Sequence, residues 1–122
     1  MSFSSDIAKF AKKANATVDQ VTRVVKIKLF NGIIEDTRVD TGRLKGNWQT
    51  STGSPNLTTT ERLDKTGSKA KSEVLAVVGG DTVDYMSNNL PYAKVYEDKD
   101  GMIAKNITRI NRNLKEAIRE ST

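Results

Sequence analysis

The side chains that could do chemistry in this chain are carboxylates, lysines, serines and tyrosines. Its 122 residues include no histidine and no cysteine. This excludes disulfides, thiolate nucleophiles, thiolate metal sites and the commonest general base. One local group of carboxylates, Glu35, Asp36 and Asp40, could serve a carboxylate-based enzyme. The same residues are more simply explained as the end of a helix and a turn, and we favour that interpretation.

Two segments resemble ligand loops but lack residues that those loops need. Gly79-Gly80 is followed by Asp81, whereas a phosphate loop continues with a lysine and a serine or threonine. Asp98-Lys99-Asp100-Gly101 is too short for a calcium loop, which has a glutamate at its twelfth position. We therefore expect turns at both places, and no catalysis, cofactor or resident metal.

Charge is spread unevenly along the chain, whose formal net charge is +5. Residues 70–101 carry three basic and six acidic side chains, whereas residues 102–122 carry five basic and two acidic ones. Such a bipolar chain can bind polyanions or can stack on copies of itself. No run approaches the roughly 18 apolar residues of a membrane span, and the first residues lack the features of a secretory signal. The sequence predicts one domain, over residues 1–122, made in the cytoplasm.

The first third of the chain has the apolar spacing of one long helix over about residues 6–36. Apolar residues recur every three or four positions and so lie on one stripe. At 1.5 Å per residue this helix would be about 45 Å long, which exceeds the width of a small domain. The overhanging stripe should then contact another subunit through Ile7, Phe10, Ala14, Val18 and Val21. The alternative is a kink at Asn31-Gly32 that turns the helix back onto its own core.

Two strands are predicted after this helix. The first covers Leu44–Ser51 and places Trp48 against the long helix. The second covers Thr82–Asn88 and should run antiparallel to the first. Between them lies a long flexible loop at about residues 51–72, with room for a short strand at Leu57–Leu63.

The remaining segments predict helices. The apolar run over residues 73–78 is too short to distinguish helix from strand. A short helix should open near Asn89, which would cap it, and a C-terminal amphipathic helix begins at Met102. Together the elements predict an α+β fold: a long N-terminal helix, a small antiparallel β-sheet, a short helix and a C-terminal helix.

Two motifs lie at the corners between these elements. The first is Val39-Asp40-Thr41-Gly42-Arg43-Leu44 with Asn47-Trp48, and the second is Ser87-Asn88-Asn89-Leu90-Pro91-Tyr92-Ala93. In this order, behind a long N-terminal helix, they resemble the bacteriophage neck and tail-completion family of minor virion proteins. The similarity in order and spacing covers residues 5–120. It departs at Arg38, where the family commonly has a proline, and at residues 98–101, where a glycine-containing loop is shortened.

The resemblance implies a structural virion protein in a homo-oligomeric, hexameric ring at the phage neck. This ring would join the DNA-filled head to the tail, in a tail-completion or tail-terminator role. Its partners would be portal-side connector or stopper proteins and tail-tube or terminator subunits, with packaged DNA held non-specifically in the lumen. It would be assembled in the host cytoplasm and would end in the virion.

The resemblance also implies site residues, either as internal corners of the fold or as subunit contacts. They are Asp40, Thr41, Gly42, Arg43, Trp48, Asn88, Asn89, Pro91, Tyr92 and Ala93. Asp40 can lock the first corner, and Arg43 is free to pair with a carboxylate through two hydrogen bonds. If the ring encloses DNA, the loop lysines that we expect to face it are Lys65, Lys69 and Lys71.

A basic, non-sequence-specific DNA-binding accessory module is the alternative function. The cationic C-terminal helix supports it, but there is no recognition-helix motif, and the seven aromatic residues are dispersed. Tight duplex binding by a monomer at physiological salt would favour this alternative over a ring.

Overall fold

A computed structural model describes residues 3–120, which form six helices and two strands. In chain order these are α1 (Phe3–Lys13), α2 (Val18–Asp36), α3 (Arg43–Gly46), β1 (Gln49–Thr52), α4 (Ser68–Val77), β2 (Asp84–Ser87), α5 (Ala93–Asp100) and α6 (Met102–Glu120). The two strands form one antiparallel sheet, and the predicted α+β class is confirmed. No helix in residues 3–120 is long and apolar enough to cross a membrane.

The N-terminal helical region is interrupted between α1 and α2, so the prediction of one continuous helix over residues 6–36 is wrong. Asn15 adopts a left-handed conformation with φ of 54°, which disrupts a right-handed helix. Thr17 then starts α2 with a capping box: Thr17 Oγ1 accepts a hydrogen bond from Gln20 N, and Gln20 Oε1 accepts one from Thr17 N. These bonds satisfy amides that a helix start leaves unpaired. α2 itself continues through Asn31-Gly32, where the alternative interpretation placed a kink.

The interruption lets α1 pack against both α2 and α6. Ile7 and Ala11 of α1 form a buried cluster with Val21 of α2 and Leu114 of α6. Burying a valine, leucine or isoleucine side chain stabilises a fold by about 1.5–3 kcal/mol. The expectation that this stripe overhangs the domain is therefore wrong for Ile7 and Val21, which the chain buries by itself. Ala14 and Val18 stay exposed, and Phe10 is half-buried.

The main core lies where α2, α4 and the start of α6 meet around Trp48. This tryptophan is 4% exposed and packs with Ile33 and Ile34 of α2, as predicted. Its Nε1 donates a 2.8 Å hydrogen bond to Thr37 Oγ1, just past the end of α2. Met102 belongs to the same cluster. Trp48 thus serves the fold and is not an accessible contact residue.

The sheet pairs β1 with β2 so that Gln49 lies opposite Ser87. The second strand and its antiparallel orientation were predicted correctly. The first strand is shorter than the predicted Leu44–Ser51, because α3 takes its first residues. Gly42, with φ of 88°, occupies the cap position of α3 and turns the chain into that helical turn.

Residues 53–67 form the predicted long loop, without the strand that was allowed at Leu57–Leu63. The loop ends earlier than predicted because α4 begins at Ser68. The ambiguous apolar run at residues 73–78 is helical up to residue 77. The loop is irregular in backbone conformation, but it is hydrogen-bonded to neighbouring segments.

The last two helices start close to their predicted positions. Asn89 does not cap α5 as predicted, since Tyr92 occupies the cap position and the Asn89 side chain bonds to the long loop. α5 ends at Asp100, and Gly101 after it has φ of 63°. α6 then begins at Met102, as predicted, and packs against α1 and α2.

Candidate functional site

The two motif segments meet in one corner of the fold. Asn88 Nδ2 donates a 2.8 Å hydrogen bond to the carbonyl oxygen of Leu44, 44 residues away in the sequence. Leu44 also packs with Leu90 and Ala93 in a small buried cluster. Residues 38–44 line a pocket of about 230 Å³ together with two tyrosines of the second corner. We call this the motif pocket.

Gly42 sets the backbone geometry of the first motif. Its φ lies in the region that favours glycine, and its carbonyl accepts hydrogen bonds from Gly46 N at 2.9 Å and Asp64 N at 3.0 Å. A Cβ at this position would lie 2.9 Å from Asp64 N. Beside it, Thr41 Oγ1 accepts a hydrogen bond from Arg43 N at 3.2 Å. Thr41 and Gly42 therefore build the corner from within the chain.

The charged groups of the motif pocket are paired differently from the prediction. The side chains of Asp40 and Arg43 are exposed and make no hydrogen bond or ion pair within residues 3–120. The two-bond ion pair expected of Arg43 is made by Arg38, whose Nε and Nη2 lie 2.8 and 2.6 Å from the carboxylate oxygens of Asp100. This contact lowers the pKa of Asp100. The Arg38 guanidinium also lies 4.5 Å from the centroid of the Tyr96 ring.

Arg38 therefore has a structural role at the position where the resemblance leads one to expect proline. Its ion pair joins the segment after α2 to the last residue of α5. Asp40 does not lock the corner, because Gly42 holds the cap position.

The asparagines of the second motif join its corner to the long loop. Asn88 Oδ1 accepts a hydrogen bond from Leu90 N at 3.4 Å. Asn89 Nδ2 donates to the carbonyl oxygens of Asn56 and Thr58 at 2.8 and 3.0 Å. The pair thus holds the strand end on one side and the loop on the other.

The remaining residues of the second motif lead into α5, and Tyr92 borders the motif pocket. Ala93 N donates to Leu90 O at 3.0 Å, and Pro91 is exposed just before it. Tyr92 and Tyr96, predicted to lie one turn apart on one side, meet edge to face with ring centroids 5.9 Å apart. Both rings border the motif pocket.

Two polar side chains for which no site role was predicted hold the loop against the first motif. Asn47 is fully buried; its Nδ2 donates to Thr60 O at 3.0 Å, and its Oδ1 accepts from Thr60 N at 2.9 Å. Arg62 donates to the carbonyl oxygens of Gly46 and Trp48 at 2.8 and 2.7 Å. Their partners lie 13–16 residues away, so no local pattern indicates these bonds.

A second concave surface, the apolar groove, lies between α1, α2 and α6. Its volume is about 310 Å³, and its lining is apolar apart from Gln20, Lys28 and Asn113. Val24 on this lining is 49% exposed. No segment of residues 3–120 fills the groove.

The groove contains some of the residues that were expected to contact another subunit. Phe10, Ala14 and Val21 line it, although Val21 is only 6% exposed. Ile7 is buried by the chain itself. Val18 is 49% exposed but is not part of the lining. The accessible part of the predicted surface is therefore smaller than expected: it consists of Phe10 and Ala14 in the groove and Val18 outside it.

The three lysines expected to face DNA differ in their surroundings. Lys65 is exposed at the end of the loop. Lys69 and Lys71 belong to α4: Lys69 Nζ donates to Leu63 O at 3.2 Å, and Lys71 forms an ion pair with Glu35. A phosphate contact by Lys71 would compete with that ion pair.

The carboxylates considered for catalysis are not brought together. Glu35 pairs with a lysine of α4. Asp36 accepts a 2.9 Å hydrogen bond from Asn106 Nδ2 and lies 3.4 Å from Arg109 Nη1, whereas Asp40 is exposed. Across residues 3–120, acidic side chains form no group of three or more that could hold a metal ion.

No family model, curated protein or solved structure matches this chain. The resemblance to neck and tail-completion proteins therefore rests on the sequence motifs and on their order along the chain. The contact between those motifs is a property of this chain's own fold.

Proposed function

We propose that the chain is a structural subunit of a bacteriophage neck. Several copies form a ring that joins the DNA-filled head to the tail, as a tail-completion or tail-terminator protein without catalysis. The observation that carries the proposal is the contact between the two motif segments, through the Asn88–Leu44 hydrogen bond and the shared motif pocket. The two motifs in which the resemblance was found are thus parts of one structural unit in this fold.

The corner formed by the two motifs is suited to present side chains to a partner, because internal hydrogen bonds hold its backbone and its exposed charged groups stay available. Gly42, Asn47 and Asn88 direct their hydrogen bonds to backbone atoms inside the chain. Asp40 and Arg43 remain exposed at the rim of the pocket. A rigid scaffold with polar groups on its loops is the usual way in which a fold carries binding residues.

The apolar groove is where we place the contact with the neighbouring copy. Leu57 fits such a groove, because it is 80% exposed and lies on the loop that Asn89 binds on both sides of it, at Asn56 and Thr58. A groove on one copy and a leucine on the next make a heterologous contact, which is the kind that closes into rings.

A disulfide cross-link tests this contact. Because the sequence has no cysteine, Val24→Cys with Leu57→Cys introduces the only two thiols. Oxidation of the assembled protein should give a ladder of covalent oligomers that ends at six subunits. The matched control combines Leu57→Cys with Val83→Cys, a 65% exposed valine that does not line the groove, and should give no ladder.

Two results would contradict the proposal. A ladder that stops at two subunits indicates a symmetric dimer, which does not form a ring. Absence of any cross-link in assembled particles removes the groove as the subunit contact.

The alternative, a basic DNA-binding accessory module, has one observation in its favour, which is the cationic surface of α6. A module of this kind binds duplex as a monomer at physiological salt. A ring subunit binds weakly as a single copy and gains affinity when several copies act together. Duplex affinity measured before and after assembly therefore separates the two functions.

A further inference from the structure

The exposed side of α6 carries a stripe of basic side chains. Lys105, Arg112 and Lys115 follow one another at helical spacing, with Thr108 between the first two, and all four are exposed. Residues three and four apart in a helix are neighbours on its surface. We call these four residues the α6 stripe.

The α6 stripe lies away from the packed face of its helix. Met102, Asn106 and Leu114 on the other side are at most 7% exposed. Lys105, Thr108 and Arg112 border a shallow depression of about 400 Å³ on the outer surface. The cations therefore point to solvent and do not support the core.

Few opposite charges compete for the α6 stripe. Glu116 is exposed on the same helix, and Asp100 attracts Lys105 from the preceding turn. Arg109, which borders the same depression, is held by Asp36 at 3.4 Å. Lys105, Arg112 and Lys115 themselves form no ion pair within residues 3–120.

The dimensions suit a nucleic-acid backbone. From Lys105 to Lys115 the helix rises about 15 Å at 1.5 Å per residue, which is the axial length of roughly four base pairs at 3.4 Å per phosphate of one strand. Three cations over that length can contact several phosphates. Such phosphate contacts carry no sequence information. The stripe has no aromatic residue that could stack on bases, so its chemistry fits backbone contacts alone.

The chemistry of α6 argues against two other partners with negative charge, an anionic membrane and an acidic protein. A helix that lies on a membrane inserts the apolar face beside its basic residues. Most of the apolar face of α6 packs against α1 and α2 and leaves Ile107 as its exposed large apolar side chain within the described residues. A protein interface generally has apolar or aromatic anchors at its centre, and the α6 stripe has none.

We propose that the α6 stripe is the surface through which this chain contacts the backbone phosphates of duplex DNA. This replaces the loop lysines as the main contact. The location of that DNA, in the lumen of a ring, rests on the proposed function, whereas binding itself can be measured on the isolated chain.

Fluorescence anisotropy with a labelled 30-base-pair duplex of random sequence, from 50 to 200 mM NaCl, tests the proposal. Each phosphate contact contributes about −0.9 to the slope of log affinity against log salt, so three contacts reduce affinity about 40-fold over this range. The triple variant Lys105→Gln, Arg112→Gln, Lys115→Gln should lower the magnitude of the slope by about 3. The charge-conserving variant Arg112→Lys should retain the wild-type slope.

The matched control neutralises three exposed lysines elsewhere, through Lys12→Gln, Lys94→Gln and Lys99→Gln. It should keep the wild-type slope. An equal loss of slope in the control would show that net charge alone is responsible, and the proposal would be overturned. Circular dichroism checks that both triple variants are folded.

Two further results would also overturn the proposal: an unchanged slope in the stripe variant, or binding to phosphatidylserine vesicles without binding to duplex. Failure of the stripe is distinguishable from failure of the neck function. If the stripe variant still forms a ring that retains DNA, the neck function stands and the α6 stripe is not the DNA contact. If the chain binds duplex in a salt-dependent way but never assembles, the α6 stripe stands and the neck function fails.

Discussion

The Asp84 carboxylate connects α2, the turn before β2 and the sheet. Its side chain has no exposed surface. It accepts hydrogen bonds from Thr52 Oγ1 at 2.6 Å, Lys26 Nζ at 2.9 Å, Thr82 Oγ1 at 2.9 Å and Gly79 N at 3.2 Å. Burial alone raises the pKa of Asp84, but these hydrogen bonds together lower it from 3.8 to about 2.

Asp84→Asn should therefore destabilise the chain in a pH-dependent way. Because the pKa is lower in the folded chain than in the unfolded chain, the ionised carboxylate stabilises the fold above about pH 4. This stabilisation is lost as the pH falls from about 4 to about 2. Urea unfolding should show a loss of about 2 kcal/mol at pH 6 and almost none at pH 2.

The control for Asp84 is Asp81→Asn, an exposed aspartate in the same turn, which should change the free energy of unfolding little at either pH. A loss in Asp84→Asn that is equal at pH 6 and pH 2 would contradict the role assigned to the ionised carboxylate.

Gly42 and Gly53 form a matched pair, since their φ angles are 88° and 86°. A Cβ on Gly42 would lie 2.7 Å from Lys65 N, whereas a Cβ on Gly53 has no atom within 4 Å. Gly53→Ala should cost about 1 kcal/mol from backbone strain alone. Gly42→Ala should cost about 3 kcal/mol or more, because the close contact adds to that strain. Thermal unfolding measures both, and equal losses would mean that the first corner is not tightly packed.

Among the helices and strands, the break between α1 and α2 is the main difference between the predicted and the observed elements. Val18, Val21 and Val25 continue the helical spacing of α1, so periodicity alone extends one helix through residues 14–17. The signals for a break were local: Asn15, which tolerates a left-handed backbone, and the Thr17–Gln20 capping box. Such signals are short, and a longer apolar pattern outweighs them.

Thr17→Ala distinguishes a broken helix from a continuous one by the sign of its effect. In a continuous helix, alanine stabilises by a few tenths of a kcal/mol because of its higher helix propensity. At the start of α2 it removes the hydrogen bond from Gln20 N and should cost about 1 kcal/mol. Chemical denaturation provides the measurement. Thr22→Ala, inside α2, is the control and should not cost more than a few tenths of a kcal/mol.

The first strand and the loop show a second limit of prediction. Alternation over Leu44–Ser51 indicated a strand, but Gly42 turns the chain into α3 first. The loop is held by Asn47 and Arg62, through bonds to partners more than ten residues away. Contacts of this kind form only in the complete tertiary structure, so local sequence patterns cannot predict them.

At the scale of the whole molecule, the fold class was predictable and the surfaces were only partly so. Periodicity predicts helical segments at both ends of the chain and two antiparallel strands, and the structure confirms this α+β class while it divides the first helix and shortens the first strand. The contact of Asn88 with Leu44 does not follow from periodicity, although the resemblance grouped the two motifs. Ile7 packs against α6 only because the chain breaks between α1 and α2, and the apolar periodicity gives no sign of that break.

The same break changes the basis of the assembly hypothesis. An overhanging helix no longer requires a second copy, since α1 packs against its own α2 and α6. What remains is the apolar groove, which no segment of residues 3–120 fills. The hypothesis of a ring now depends on a defined surface, and that makes it easier to test.

The proposed neck role would put this chain in a phage particle, and cryo-electron microscopy of such a particle is the sharpest test of that proposal. We expect a ring of six copies between head and tail, with the apolar groove of each copy occupied by its neighbour and α6 facing the lumen. A neck that lacks this chain, or a solitary copy whose groove is open to solvent, would rule out the proposed ring.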